Sequence, residues 1–178
     1  MQAHRVGRIL RRAINYEGNS FNGRKGVYTL IITVGTPLRL RVGRLGNLSF
    51  PKGLYLYTGS ALGPGGLGRR VDRHLRGGEH KFWHVDRLLA TKGASVGLAI
   101  IAQTHRRMEC RVNRSLGKFY NSHAEGFGSS DCIESCTSHL LKPKTQSMAA
   151  LRNIVFDVYR KIGLRPLSYS PIYRGHYM

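Results

Sequence analysis

Acid is what this chain has least of. Its 178 residues carry 9 Asp and Glu against 29 Lys and Arg, a formal net charge of +20 at pH 7. The positive excess is spread from Arg5 to Arg174 instead of collecting in one tail. A surface of that kind repels itself and is relieved by a polyanion, so nucleic acid is the first partner to expect, DNA with RNA as the alternative. Acidic lipid would attract the same charge, yet no apolar stretch approaches the ~20 residues a spanning helix needs. Cysteine is nearly as scarce. Three of them, an odd number, with no apolar signal segment, argue against a secreted disulfide scaffold and for a reducing, cytoplasmic setting. There is no internal repeat.

The chain is nevertheless no disordered basic tail. A hydrophobic content of 41% supports a packed core, and the length suits one domain with extensions. Three parts are expected. Residues 1 to 23 form a basic amphipathic extension, in which Val6, Ile9, Leu10, Ala13 and Ile14 recur at helical spacing while Arg5, Arg8, Arg11 and Arg12 take other positions. It reads as a surface helix docked by one face, as a basic arm on nucleic acid, or as an Arg-rich transit peptide. Residues 24 to 141 form the body. Residues 142 to 178 add a covering helix on Met148, Leu151, Val155, Val158 and Ile162, stopped by Gly163, and an extended basic tail.

Within the body the period switches from helical to alternating. Residues 26 to 34 (GVYTLIITV), 38 to 42 (LRLRV) and 54 to 59 (LYLYTG) read as strands separated by Gly and Pro turns, and predict a three-stranded antiparallel meander. Helices are expected over 66 to 75, 82 to 91 and about 106 to 116, with a strand over 95 to 102 and a short apolar run at 139 to 141. The fold class that follows is α+β, a small and mostly antiparallel sheet flanked by helices.

Tyr55 and Tyr57 share one strand face, as do Tyr28, Leu30 and Ile32. Tyrosines so placed are by default packing residues with the hydroxyl at the rim. On the helix over 66 to 75, Leu67, Val71 and Leu75 point inward, so Arg70 and His74 flank the buried stripe, and Arg69 and Arg73 point outward near Asp72. An arginine at that rim, beside a sheet that carries tyrosines, can form a fork on a phosphate. His74 reads equally as a packing group or a phosphate contact. Glu109, at the edge of the stripe Met108, Val112 and Leu116, is the carboxylate placed to face inward without being buried, either as ligand to a hard metal ion or as ion-pair partner of Arg106 or Arg107. Cys110, Cys132, Cys136 and His139 have the chemistry of a zinc set, with Cys132, Cys136 and His139 as its nucleus, although reduced packing cysteines account for them as well. The run Gly63-Pro64-Gly65-Gly66-Leu67-Gly68 lacks the Lys-Ser/Thr of a nucleotide loop, but the amide groups at that helix start offer a phosphate contact.

The order Gly26-Val27-Tyr28, then Tyr57-Thr58-Gly59-Ser60-Ala61, then Arg70-x-x-x-His74-Leu75, then Glu109 resembles the GIY-YIG endonuclease superfamily. The Glu109-Cys110 pair and the segment from Gly126 through Cys132 to Ser138-His139-Leu140 resemble its branch called DUF123 or Uri-type proteins. The resemblance spans about residues 24 to 141, and Thr58 departs from it where an aliphatic residue is usual. It implies a metal-dependent endonuclease, a phosphodiester hydrolase acting on DNA with one Mg²⁺ or Mn²⁺ ion held by Glu109. Tyr28 would then activate or orient the water, Arg70 would stabilise the phosphorane, and Tyr57 and His74 would position the scissile group. Arg69, Arg73, Lys81, Arg106, Arg107 and Asn113 complete the expected nucleic-acid contacts.

Overall fold

Burial on both faces decides which segments build the central sheet. The strands β1 (Gly26–Val34) and β4 (Gly53–Ala61) are buried at eight of nine positions each. They pair antiparallel along their whole length, Gly26 opposite Ala61 and Val34 opposite Gly53. The computed structural model describes residues 21 to 77 and 83 to 169. The expected N-terminal helix, Lys81 and the last nine residues of the tail lie outside these described residues.

Between the two long strands, β2 (Leu38–Arg41) and β3 (Asn47–Phe50) form a separate two-stranded hairpin. The expected meander is corrected here. Residues 38 to 41 pair not with β1 but with β3, a strand absent from the expectation. The physical reason is charge. A strand reading LRLR exposes Arg39 and Arg41 on one face, whereas the central sheet is covered on both. The place beside β1 goes instead to β5 (Ala94–Gln103).

The order of the six-stranded sheet is β6 (Asn121–Ser122), β7 (Leu140–Lys142), β4, β1, β5 and β8 (Leu167–Tyr169), all neighbours antiparallel. One face carries Tyr28, Leu30, Ile32, Tyr55 and Tyr57 and packs on α1 (Gly66–Leu75) and α2 (His84–Leu89) through Leu67, Val71, Val85 and Leu88. The other carries Val27, Ile31, Leu56 and Ile100. It packs on α3 (Glu109–Gly117) and α4 (Met148–Lys161) through Val112, Leu116, Leu151 and Val155. Alternation along β1 therefore feeds two cores, which is why its nine residues read as one apolar run.

Helix limits follow local chemistry. The chain over 106 to 108 does not join α3, because the Arg106 N–H is taken by Thr104 Oγ1 at 3.1 Å, a turn that competes with the helix. At the far end of α4, Gly163 has φ +84 and its N–H bonds the Arg160 carbonyl, while the Leu164 N–H returns to Tyr159. Those two bonds make the Schellman stop that the glycine announces. Beyond it the expected extended tail supplies β8, the outer edge strand against β5.

Thr58, the departure from the usual aliphatic residue, is fully buried and stands opposite Thr29. Its hydroxyl lies 3.1 Å from that of Thr29, which in turn lies 3.0 Å from the Tyr159 hydroxyl of α4. The polar substitution is thus satisfied inside the core, where an unpaired hydroxyl would cost about 1–3 kcal/mol.

Candidate active site

The register of β1 on β4 brings the two tyrosines together. Tyr28 stands opposite Gly59 and Leu30 opposite Tyr57, so the tyrosine rings are diagonal neighbours on one face, with centroids 6.4 Å apart. Gly59 is required here. A Cβ built on it would sit 2.5 Å from the Tyr28 hydroxyl, so the phenol lies across a position that only glycine leaves open. Gly128, with φ +71, does the same for Tyr57, whose ring would meet a Cβ at 2.6 Å.

Behind Tyr28 lies a chain of polar groups. Its hydroxyl is 2.9 Å from Nε2 of His74, in the last turn of α1, and His74 Nδ1 is 2.8 Å from Oδ1 of Asp86 on α2. Asp86 Oδ2 accepts the Trp83 N–H at 3.0 Å and lies 3.5 Å from Arg73 Nη2. A carboxylate can only accept, so the imidazole proton belongs on Nδ1 and Nε2 accepts the Tyr28 O–H. Electrostatics agree with that assignment. Burial pulls the His74 pKa below its usual value of 6.5, against the opposing pull of Asp86, so the ring is neutral. Burial pushes Asp86 the other way, but the hydrogen bonds from His74 and Trp83 outweigh it and leave the carboxyl below its usual range. Burial raises the Tyr28 phenol well above its usual value, opposed by the charges of Arg70 and Arg73. Tyr57 is raised by burial too, and by Tyr28 and Asp86 next to it.

In front of Tyr28 a cavity of about 170 Å³ opens between the sheet, α1 and α3. Tyr28, Tyr57, Arg70 and Glu109 all line it, so four of the five expected catalytic residues share one space and the fifth, His74, backs Tyr28. Arg70 is half-buried with its guanidinium 5.0 Å from the Trp83 ring centroid, a stacking contact that holds the fork at the rim. Glu109 has no ion pair with Arg106 or Arg107. Its Oε2 is buried and without a hydrogen-bond partner, the condition of a carboxylate that fits a cation. Asp131, on the loop before β7, lines the same cavity.

The outer contacts sort differently from expectation. Arg69 and Arg106 are exposed, and Arg107 reaches the cavity wall. Arg73 does not point outward. Two of its guanidinium nitrogens are buried and it faces Asp86, because α2 packs against that side of α1 and a buried carboxylate draws the nearest cation. Asn113 is corrected as well, being buried and donating from Nδ2 to the Ser138 carbonyl at 2.7 Å, which ties α3 to the chain before β7. At the start of α1 the amide groups of Gly66 and Leu67 already bond Gly63 O and Arg24 O, so they are not open to a phosphate. Tyr55 is a packing residue, its hydroxyl donating to Pro51 O at 2.6 Å.

Asp86 carried no role in the sequence, and its only signal was rarity, one of nine acids set on a helix among apolar residues. The zinc set read from the sequence comes together in the structure. Cys110, Cys132, Cys136 and His139 bring one ligand atom each to within 4.8 Å of one another, a group that could hold a metal such as zinc.

A family model described as a domain of unknown function, DUF123, matches residues 27 to 162. The chain belongs to the DUF123 family. No curated protein and no solved structure matches it. The DUF123 match takes in every residue that lines the cavity. It also runs past the expected boundary at 141 to the end of α4, in keeping with the share that helix has in the second core. No helix among the described residues is long and apolar enough to cross a membrane.

Proposed function

We propose that this DUF123 protein is a metal-dependent endonuclease of the GIY-YIG type, of the Uri-type branch, that hydrolyses phosphodiester bonds in DNA. The observation that carries the reading is the line Tyr28, His74, Asp86 ending in the same cavity as Arg70 and Glu109. A phenol so raised by burial is a poor base by itself. It acts here as a relay. As Tyr28 takes a proton from the attacking water it passes its own to Nε2 of the neutral His74, and Asp86 stabilises the imidazolium that forms, the division of labour that hydroxyl, imidazole and carboxylate show in other hydrolases. Arg70 meets the charge that develops on the phosphate, and Tyr57 orients the scissile group. Glu109, with Asp131 lining the same cavity, would hold a hard Mg²⁺ or Mn²⁺ ion that would supply positive charge to the phosphate and the leaving oxygen.

A non-catalytic DNA- or RNA-binding protein on the same scaffold is the second reading, favoured by a net charge of +20 that exceeds what one cavity uses. Nicking of supercoiled plasmid by the purified chain separates the two. Cleavage is expected with added Mg²⁺ or Mn²⁺, none without a divalent ion and none with Tyr28→Phe. Tight binding with no nicking by the unaltered chain under any divalent ion sinks the enzyme and leaves the binder.

A further inference from the structure

Cys110, Cys132 and His139 line another wall of the cavity, away from the relay, and a third thiol, that of Cys136, joins them there. Cys110 is the second residue of α3, Cys132 and Cys136 belong to the loop before β7, and His139 immediately precedes that strand. Cys110 Sγ lies 3.3 Å from Cys132 Sγ and 3.7 Å from His139 Nε2. A tetrahedral zinc ion with Zn–S bonds of ~2.3 Å spaces neighbouring ligand atoms about 3.8 Å apart. None of the three cysteines is in a disulfide. Apolar packing does not explain the gathering, because Cys132 and Cys136 are only half-buried. The backbone is shaped to make it: Ser135, with φ +52, turns the chain so that Cys136 comes back beside Cys132.

We propose that Cys110, Cys132, Cys136 and His139 bind one zinc ion that pins the 131 to 136 loop to α3. Four protein ligands close the coordination shell, so the ion is structural and has no open position for water or phosphate. Soft thiolates also sort it from the oxygen site at Glu109, which suits a hard cation. The groups around it hold the ligand-bearing backbone in place, as the surroundings of metal sites do. Asn113 donates to Ser138 O, the His139 N–H bonds Phe127 O at 2.8 Å, and Arg114 of α3 pairs with Glu134 between the two loop cysteines. Few apolar contacts serve this loop otherwise: Ile133 at its tip is 80% exposed. The zinc therefore fixes the wall that carries Glu109 and Asp131, and it does so whether or not the cavity cuts DNA.

The test is metal analysis of the untagged full chain, purified without chelator. One zinc per chain is expected, with three thiols that react slowly with a disulfide reagent until a strong chelator is added. Cobalt substituted for the zinc should show the visible bands of a tetrahedral, thiolate-rich site. A protease that cuts after glutamate should cleave at Glu125 or Glu134 faster once the metal is removed, and Cys136→Ser or His139→Ala should lower the zinc content. A folded chain with far less than one zinc and freely reactive thiols overturns the proposal. So does a metal-free Cys110–Cys132 disulfide, and so does iron in place of zinc.

Discussion

Tyr28 owes its surroundings to two neighbours of opposite kinds. Gly59 leaves the phenol room, and His74 takes the hydrogen bond that would otherwise be lost in a buried site. The pH dependence of that arrangement has a definite sign. The His74 pKa lies below 6.5 in the folded chain, so the unfolded chain binds more protons as pH falls through that range. The contribution of His74 to stability is complete above 6.5 and is lost as pH falls through the folded value. Cleavage should show an acid limb from the same group, since only the neutral ring can receive a proton. The Asp86 contact raises His74 against the effect of burial. Asp86→Asn should therefore move the acid limb of kcat/KM to lower pH while reducing the plateau. A limb that stays in place means that another group titrates.

The two faces of α1 make opposite demands. Leu67 and Val71 seat it on the sheet, His74 is buried behind Tyr28, Arg70 stands at the edge toward the cavity, and Arg69 faces solvent. Arg70→Ala should lower cleavage by about 10²-fold or more, the scale of one lost transition-state donor, with the fold intact. Arg69→Ala should cost far less, and equal losses at the two positions would show that the facing is wrong. Seating is tested separately at Gly26, where a Cβ would collide with the Ala102 carbonyl and the Leu67 side chain. Gly26→Ala should cost about 1–3 kcal/mol by overpacking, read as a fall in Tm, and should reduce cleavage in step as Arg70 and His74 are lifted away. At this scale much of the fold was legible: β1, α1 and the stop of α4 at Gly163 each carry a strong local signal. What was not legible depended on distant partners. Residues 47 to 50 are too short to announce a strand, and Asp86 gains its meaning only when α2 packs on α1. The inward turn of Arg73 belongs to the same class, since helical spacing alone points it outward.

Charge and chemistry are separable at the scale of the whole molecule. A net charge of +20 is a property of the entire surface, whereas cutting depends on one cavity. Binding to duplex DNA should weaken steeply with salt, because each phosphate neutralised by Lys or Arg releases condensed counterions, and six to ten such contacts lose about 10³- to 10⁵-fold between 50 and 200 mM. Glu109→Gln leaves nearly all of that surface unchanged while removing the charge that retains a hard cation. The variant should therefore bind DNA with the same salt slope and a slightly higher affinity, since one negative charge is gone, and yet fail to nick plasmid under any divalent ion. Combining it with Tyr28→Phe should cost scarcely more than either change alone, because groups that act as one catalytic unit do not contribute additively. Full nicking by Glu109→Gln would place the metal elsewhere. Loss of binding together with nicking would make Glu109 part of the fold, and circular dichroism of the variant would show it.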